Sequence, residues 1–435
     1  MDEVAVERRP LLRPSWPLVA LFVAFPVWWA LGLGAFIWPI VAAPMALSLA
    51  MRGRALAPRG FGLWILFLLW MLVTATQLDE PQRWVVFGYR LAIYGSATVL
   101  FLYIYNAPRE TLPVRVIVAI VTAFWAFAVL FGLVALIAPE ASFTSPAELL
   151  LPGGVVGNSF VYELVHPELA QVQGFLGYEV ARPKAPFVYT NEWGANIALL
   201  TPFALVTWKL ASTSIARLMV GGLLALSVIP IVVSLNRGLW LSLSIGLTYA
   251  AIRFSMRGRV AALRLLVAGA LIGAVLVAAT PLRELVADRL ATPHSNEGRL
   301  SLYAEAAESV LDSPLLGYGS PRPSERDPNL PRVGTHGQLW LVLFSHGIPA
   351  GILFVAWFAF AFWRSRRETS DPVSWMHVVL LITLVQMAYY GMVPVPIHIA
   401  MLAAAIAWRE LSFGARPEEV TSLSEPKSRG AVLAR

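Results

Sequence analysis

The chain has 435 residues, of which 58% are apolar and only 14% are charged. Ordinary soluble domains carry about 25% charged residues, so this composition excludes a soluble enzyme, a disordered chain and a fibrous repeat. The net charge is +7 and cysteine is absent, which excludes disulfides, cysteine metal sites and thiol catalysis.

Long, continuous apolar stretches predict an all-α, polytopic membrane bundle of about 12 transmembrane helices. The first stretch follows three arginines but no small-residue cleavage site, so we interpret it as an uncleaved anchor. The twelve stretches lie near residues 16–33, 35–51, 61–78, 87–106, 114–138, 191–208, 217–235, 239–252, 265–281, 337–362, 374–393 and 397–412.

The distribution of basic residues predicts the orientation of the bundle. With a cytoplasmic N-terminus, 22 of the 33 lysines and arginines fall in cytoplasmic segments. Cytoplasmic loops of membrane proteins carry this excess of positive charge. Both termini are therefore predicted to be cytoplasmic, in a transmembrane unit over 1–413 and a disordered polar tail over 414–435.

Two long connections, 139–190 and 282–336, fall on the outer side, where such loops are usually functional or disordered. The second loop, before the tenth span, has helical spacing of apolar residues over 281–290. Ser295 or Asn296 is predicted to cap a second helix that ends at Pro314. Its predicted apolar stripe consists of Leu300, Tyr303, Ala307 and Leu311.

Arg237 lies in a short outer turn, Asn236-Arg237-Gly238, at the end of the seventh span. A partly desolvated guanidinium there needs an anion, and phosphate matches its five donors. The alternative is an interfacial arginine that extends to lipid headgroups beside Trp240.

Arg299 is predicted to lie in the first turn of the second loop helix, where N–H groups and the helix dipole favour anions. A local ion pair with Glu297 or Asp288 is the alternative. His336 lies where this loop returns to the membrane, and a neutral imidazole there suits a general base. A purely interfacial histidine is the alternative interpretation of His336.

Other site types find little support in the sequence. No His-Glu-x-x-His motif, Cys/His cluster or phosphate-binding loop is present, so we expect neither a metal nor a cofactor. His346, inside the tenth span, is interpreted mainly as a structural hydrogen bond between helices, with a cavity-lining role as the alternative.

Three features in this order resemble the O-antigen ligase/polymerase superfamily of bacterial envelope glycan assembly. They are the turn 236–238, Gly298-Arg299 leading to Gly317-Tyr318-Gly319, and His336 followed by Gly347. The segment from Arg182 to Asn191 is also similar to that family, with Thr190 at a position where a proline is often found.

The resemblance implies a membrane glycosyltransferase of the bacterial plasma membrane with its site on the outer face. The donor would be a glycan on undecaprenyl diphosphate, and the acceptor a hydroxyl on a lipid-linked sugar, a polysaccharide or a protein. The family is regarded as metal-independent and inverting. Nucleic acid is not an expected partner.

The resemblance assigns Arg237 and Arg299 to the diphosphate, with Arg182 as a weaker third, and His336 to the role of general base. Arg83 and Arg90 are further candidates by position alone, since both lie near the turn between the third and fourth spans. The remaining candidates are Asn191, Tyr303, Gly317 and Gly319.

Three alternatives stay open at this point. A glycan polymerase of the same superfamily differs only in its acceptor. A secondary transporter of an anion or lipid-linked sugar suits 12 spans equally well but predicts charges at the membrane midplane. A non-catalytic scaffold is the third.

Overall fold

The structure is a computed structural model that describes residues 14–174, 179–278, 282–291, 294–326, 331–368 and 370–413. The chain is mostly helical, which confirms a helical membrane protein. The predicted number of spans, their orientation and the cytoplasmic termini stay predictions, and the predicted tail 414–435 lies outside the described residues. Within those residues, five helices are long and apolar enough to cross a membrane: Pro81–Tyr105, Val114–Ile137, Ser214–Val233, Gln338–Ser365 and Val395–Phe413.

Every stretch predicted as a span contains helix, because a backbone in hydrocarbon must satisfy its own hydrogen bonds. A π-helical turn, Val19–Val23, follows α1, and a 3-10 turn, Thr74–Gln77, follows α4. The fourth stretch begins six residues earlier than predicted, since Pro81 is well placed at the first helical position. The N-terminal helices are α1 Trp16–Leu18, α2 Phe25–Ala30, α3 Ile37–Met51, α4 Gly62–Val73, α5 Pro81–Tyr105 and α6 Val114–Ile137.

The segment 139–190, predicted as a long loop, contains short helices and a hairpin. The strands pair antiparallel with Gln171 opposite Arg182. The second strand, Val-Ala-Arg-Pro, does not alternate polar and apolar side chains, so the sequence pattern did not indicate a hairpin. The elements are α7 Pro146–Leu150, α8 Gly153–Val156, α9 Ser159–Val165, β1 Ala170–Gln173 and β2 Val180–Pro183.

The remaining helices include the most buried part of the bundle. Almost all side chains of α19 and most of α10 are buried, so these two helices lie at the centre. The helices are α10 Thr190–Leu210, α11 Ser214–Leu226, α12 Val228–Val233, α13 Arg237–Ser255, α14 Ala261–Ala278, α15 Leu282–Ala291, α16 His294–Asp312, α17 Gln338–Ser365, α18 Asp371–Gln386 and α19 Val395–Phe413.

Helix α16 differs from its prediction at its start. It begins at His294, before the expected cap at Ser295 or Asn296, so Arg299 is its sixth residue and lies in the second turn. Local capping preference is worth only about 1 kcal/mol, and neighbouring structure often overrides it.

The predicted apolar stripe of α16 was also wrong. Leu302, Ala306 and Val310 are buried, whereas Leu300 and Leu311 are exposed. The buried face includes Glu305, whose carboxylate accepts hydrogen bonds from the Ser324 hydroxyl at 2.6 Å and from the Glu325 amide at 2.8 Å. A pattern based on apolar residues alone cannot anticipate a buried carboxylate that is satisfied by a distant loop.

Helix α17 is broken at Gly347, which has φ 77° and ψ 178°. The segment that follows α16 fills the break: Ile348 N donates to Pro314 O at 2.8 Å, and Tyr318 N donates to Phe344 O at 3.0 Å. A Cβ atom on Gly347 would lie 2.2 Å from the Leu315 carbonyl oxygen. The break thus fixes the N-terminal half of α17 against the segment that follows α16.

Candidate functional site

The turn before Arg237 is fixed by buried polar contacts. Asn236 caps α13, since its Oδ1 accepts from Leu239 N at 3.2 Å, and its Nδ2 donates to Thr190 O at 3.1 Å. Leu235 has φ 51°, in the left-handed region, which reverses the chain within a few residues.

Half-buried Arg237 is the first residue of α13. The free N–H groups and the dipole at a helix N-terminus favour an anion. Arg299 was predicted to lie at such an N-terminus, but in the structure Arg237 has this position. The guanidinium and the helix end therefore carry positive charge at one place.

Two buried arginines bond to main-chain carbonyls of the same turn. Arg182, on β2, donates from Nε to Ser234 O at 2.6 Å and from Nη1 to Gln173 Oε1 at 2.7 Å. Arg289, on α15, donates from Nε to Leu235 O at 3.1 Å. Sequence reasoning missed Arg289, because an arginine on an amphipathic loop helix usually faces solvent.

Asn191 is the second residue of α10 and is half-buried. The preceding Thr190 provides the carbonyl that Asn236 binds. The structure therefore brings the predicted segment 182–191 and the Arg237 turn together.

Tyr390, in the segment between α18 and α19, bonds to both the Arg237 turn and the start of α17. Its hydroxyl donates to Asn236 Oδ1, and its carbonyl accepts from Gln338 N at 2.8 Å. Gln338 comes two residues after His336, so this segment holds the turns that carry Arg237 and His336. Sequence reasoning also missed Tyr390, which no motif marks.

His336 is half-exposed, and its Nδ1 lies 3.2 Å from the Thr335 hydroxyl. The Thr335 hydroxyl donates its proton to Arg332 O at 2.6 Å. Since a hydroxyl has one proton, its oxygen accepts from His336, which places the imidazole proton on Nδ1. Nε2 is then the basic nitrogen of the ring, as a general base requires.

The helix that includes Arg299 packs on the start of α17. The Tyr303 ring stacks on Trp340, with centroids 5.1 Å apart and planes at 18°. Tyr303 follows Arg299 by four residues and Trp340 follows His336 by four. The Arg299 side chain lies outside the described part of the chain.

Arg83 belongs to a different cluster, together with Gly317 and Gly319. Its Nε donates to Ser320 Oγ at 3.0 Å, and its other nitrogens bond to the carbonyls of Tyr318 and Ser320 and to Asp79. Arg83 is only 3% exposed, and these contacts favour a structural role over contact with substrate. The hydrogen bond from Arg83 lowers the pKa of the Asp79 carboxyl.

The glycines at 317 and 319 also have a structural reason. Both have positive φ, 60° and 73°. A Cβ atom on Gly317 would lie 2.5 Å from Phe344 O. The motif thus allows the loop to approach the broken helix closely.

Arg90 lies one helical turn before Tyr94 on α5. The Tyr94 hydroxyl accepts from Gln338 Nε2 at 2.6 Å, so this face of α5 adjoins the start of α17. Arg90 Nη1 is buried and has no hydrogen-bond partner among the described residues. A desolvated guanidinium in this position suits an anionic ligand.

Four other histidines have structural partners. His346 Nδ1 lies 2.7 Å from the Thr74 hydroxyl, which confirms its interpretation as a bond between helices. His166 pairs with Glu148, His377 bonds to Tyr249, and His398 bonds to Ser96. Across the described ranges, no three potential metal ligands lie together.

Hydrogen bonds therefore connect the segments that contain Arg182, Asn191, Arg237 and His336, and Arg83 belongs to a separate cluster. Residues 222–355, which include Arg237, Arg299 and His336, match the family model described as O-antigen ligase. This match confirms the predicted resemblance to the O-antigen ligase/polymerase superfamily and supports a membrane glycan ligase or polymerase type of function. No curated protein matches the chain.

Proposed function

We propose that the protein is a membrane glycosyltransferase that moves a glycan from undecaprenyl diphosphate to an acceptor hydroxyl at the outer face of the bacterial plasma membrane. The acceptor would be a lipid-linked sugar, a growing polysaccharide or a protein. The chemistry needs a base beside the acceptor and positive charge beside the leaving group.

The observation that carries this proposal is the double contact of Tyr390. Its two hydrogen bonds hold the Arg237 turn and the turn after His336 against one segment. A base and a phosphate-binding arginine on turns fixed to each other supply the two groups that the reaction requires.

In the proposed reaction, His336 Nε2 takes the proton from the acceptor hydroxyl as its oxygen attacks the anomeric carbon. The new C–O bond forms while the bond from that carbon to the diphosphate oxygen breaks. Undecaprenyl diphosphate departs with the electron pair, and His336 later releases its proton to water.

Arginines would stabilise the charge on the departing diphosphate without a metal ion. Arg237 and Arg299 take this role, with Arg182 as a weaker third and Arg90 as a further candidate. The position of Arg237 at the helix N-terminus and the buried Nη1 of Arg90 support these assignments.

The test is transfer in vitro from a defined undecaprenyl-diphosphate glycan, with a chelator present, to a panel of hydroxyl acceptors. We expect Arg237→Ala, Arg299→Ala and His336→Ala to lower kcat at least about 100-fold. Arg237→Lys should recover part of the activity, because lysine keeps the charge but loses the planar donor pair. Exposed Arg115→Ala is the matched control and should retain full activity.

Wild-type rates in all three alanine variants would refute the assignment. Sugar-lipid flux in proteoliposomes without bond cleavage would favour the transporter. The panel also separates the two glycan functions, because transfer to the growing polysaccharide itself identifies a polymerase.

A further inference from the structure

Two outer loops, far apart in the sequence, meet at consecutive carbonyls of one turn. Arg182 of the hairpin β1–β2 binds Ser234 O, and Arg289 of α15 binds Leu235 O. Both arginines are nearly inaccessible, with 5% and 7% of their surface exposed. Each guanidinium thus approaches the backbone of the turn.

The turn that they bind has a backbone that needs support. Leu235 is fully buried and adopts a left-handed φ of 51°, which a branched side chain rarely adopts. Such conformations persist where the surroundings over-determine them, and they concentrate at functional sites. Arg237 comes two residues later, so the geometry of Leu235 sets where the first turn of α13 begins.

Arg289 also connects this turn to the loop that carries Arg299. Helix α15 ends at Ala291 and α16 begins at His294, so the two helices are close neighbours in the chain. Helix α16 is held at its other side by the stacking of Tyr303 on Trp340. The loop is thereby attached at one end to the Arg237 turn and at the other to the start of α17.

We propose that Arg289 is a positioning residue that sets the loop carrying Arg299 against the turn carrying Arg237. It acts through the Leu235 carbonyl rather than through the diphosphate. This inference rests on the proposed function, because it assigns the spacing of the two phosphate-binding arginines to a third arginine.

The test compares Arg289→Ala and Arg289→Lys with Arg283→Ala, an exposed arginine on the same helix. Kinetics are measured with the undecaprenyl-diphosphate glycan, and backbone hydrogen exchange is followed over 234–240. Displacing a catalytic group by about 1 Å can lower the rate about 100-fold. Arg289→Ala should therefore lower kcat about tenfold to 100-fold. The donor KM should change less than kcat, because contact with the ground state is indirect.

Hydrogen exchange over 234–240 should rise in Arg289→Ala, and Arg289→Lys should restore part of both rate and protection. Arg283→Ala should match the wild type in each measurement. If Arg289→Ala does not fold, Arg289→Lys is compared with the wild type instead, and its kcat and hydrogen exchange should change in the same directions by smaller amounts.

Three results would overturn the inference. One is a wild-type rate in Arg289→Ala when Arg237→Ala is inactive. Another is a rise in donor KM with no change of exchange over 234–240, which would place Arg289 in contact with the donor. The third is a rise in exchange over 234–240 with no fall in kcat. A fully active Arg237→Ala would instead refute the proposed function, so the two failures are distinguishable.

Discussion

The Tyr390 hydroxyl donates a hydrogen bond to Asn236 Oδ1, although 154 positions separate the two residues in the chain. Asn236 is the cap of α13, and the same Oδ1 accepts from Leu239 N. Asn236 Oδ1 therefore caps the helix of Arg237 and also accepts a hydrogen bond from Tyr390. Tyr390 in turn bonds to Gln338, just after His336. The two proposed functional groups depend on this oxygen for their relative placement.

Tyr390→Phe should lower kcat about tenfold while the protein stays folded. The substitution removes one buried hydrogen bond, worth about 1 kcal/mol net, but keeps the aromatic ring. The Arg237 turn then loses one of its connections to the start of α17. Transfer from the lipid-linked donor measures the rate, and thermal unfolding in detergent checks the fold.

Tyr249→Phe is the control for this prediction. It removes a hydroxyl on α13, roughly 20 Å along that helix from Asn236. This hydroxyl lies 2.7 Å from Nε2 of His377 on α18. A Tyr390→Phe variant that is as active as Tyr249→Phe would show that this bond does not align the site.

Thr335→Val should lower kcat several-fold, up to about tenfold, whereas Thr335→Ser should stay close to the wild type. The Thr335 hydroxyl accepts from His336 Nδ1, and this bond keeps Nε2 as the basic nitrogen. Valine preserves the shape but no longer selects that tautomer. Equal rates for valine, serine and threonine would argue against a base that is oriented in this way.

The helices were largely predictable, because a chain in hydrocarbon has few other ways to satisfy its backbone. The stretch 191–208 corresponds to α10 at Thr190–Leu210, within two residues at each end. Arg237 could be located by its charge at the end of an apolar stretch. Apolar stretches and charges at their ends depend only on neighbouring residues, so they can be identified in a single sequence.

The contacts that organise the site are not local. Arg289 bonds to a main-chain carbonyl 54 residues away, and the partner of Tyr390 is still more distant. Every residue has a backbone carbonyl oxygen, so no sequence pattern shows which carbonyl a given arginine will bind. For the same reason the sequence placed Arg83 near the turn between the third and fourth spans, but it could not identify its carbonyl partners at Tyr318 and Ser320.

Gly347→Ala should destabilise the protein by about 2–4 kcal/mol and lower its unfolding temperature. The new Cβ atom would lie 2.2 Å from Leu315 O, at a φ of 77° that alanine adopts only with strain. The hydrogen bond from Ile348 N to Pro314 O would be disturbed as the loop moves away. Thermal unfolding of the purified variant measures the effect.

Gly95→Ala provides the matched control for this glycine. Gly95 lies inside α5, and a Cβ atom added there would have no heavy atom of another element within 4 Å. Alanine there should be neutral or stabilising by about 0.5–1 kcal/mol, because glycine is a poor helix former. A similar loss of stability in Gly347→Ala and Gly95→Ala would show that the close contact between Gly347 and Leu315 O does not depend on glycine at position 347.

Asp79 should make stability depend on acid pH through its ion pairs. The Arg83 guanidinium, with a contribution from Arg322, lowers the pKa of this carboxyl below its usual value. A carboxyl whose folded pKa is lowered stabilises the fold above its unfolded pKa, and that contribution is lost as pH falls through the folded pKa. The wild type should therefore lose unfolding temperature below about pH 4, whereas Asp79→Asn should lack this part of the loss.

The measurement is the difference in unfolding temperature between the wild type and Asp79→Asn from about pH 6 to about pH 3. The difference should be largest at the higher pH and should shrink as Asp79 is protonated. Glu80→Gln, which changes the neighbouring exposed carboxyl, should not reproduce this trend. An unfolding-temperature difference that does not change with pH would show that the charge of Asp79 does not contribute to stability through its ion pair with Arg83.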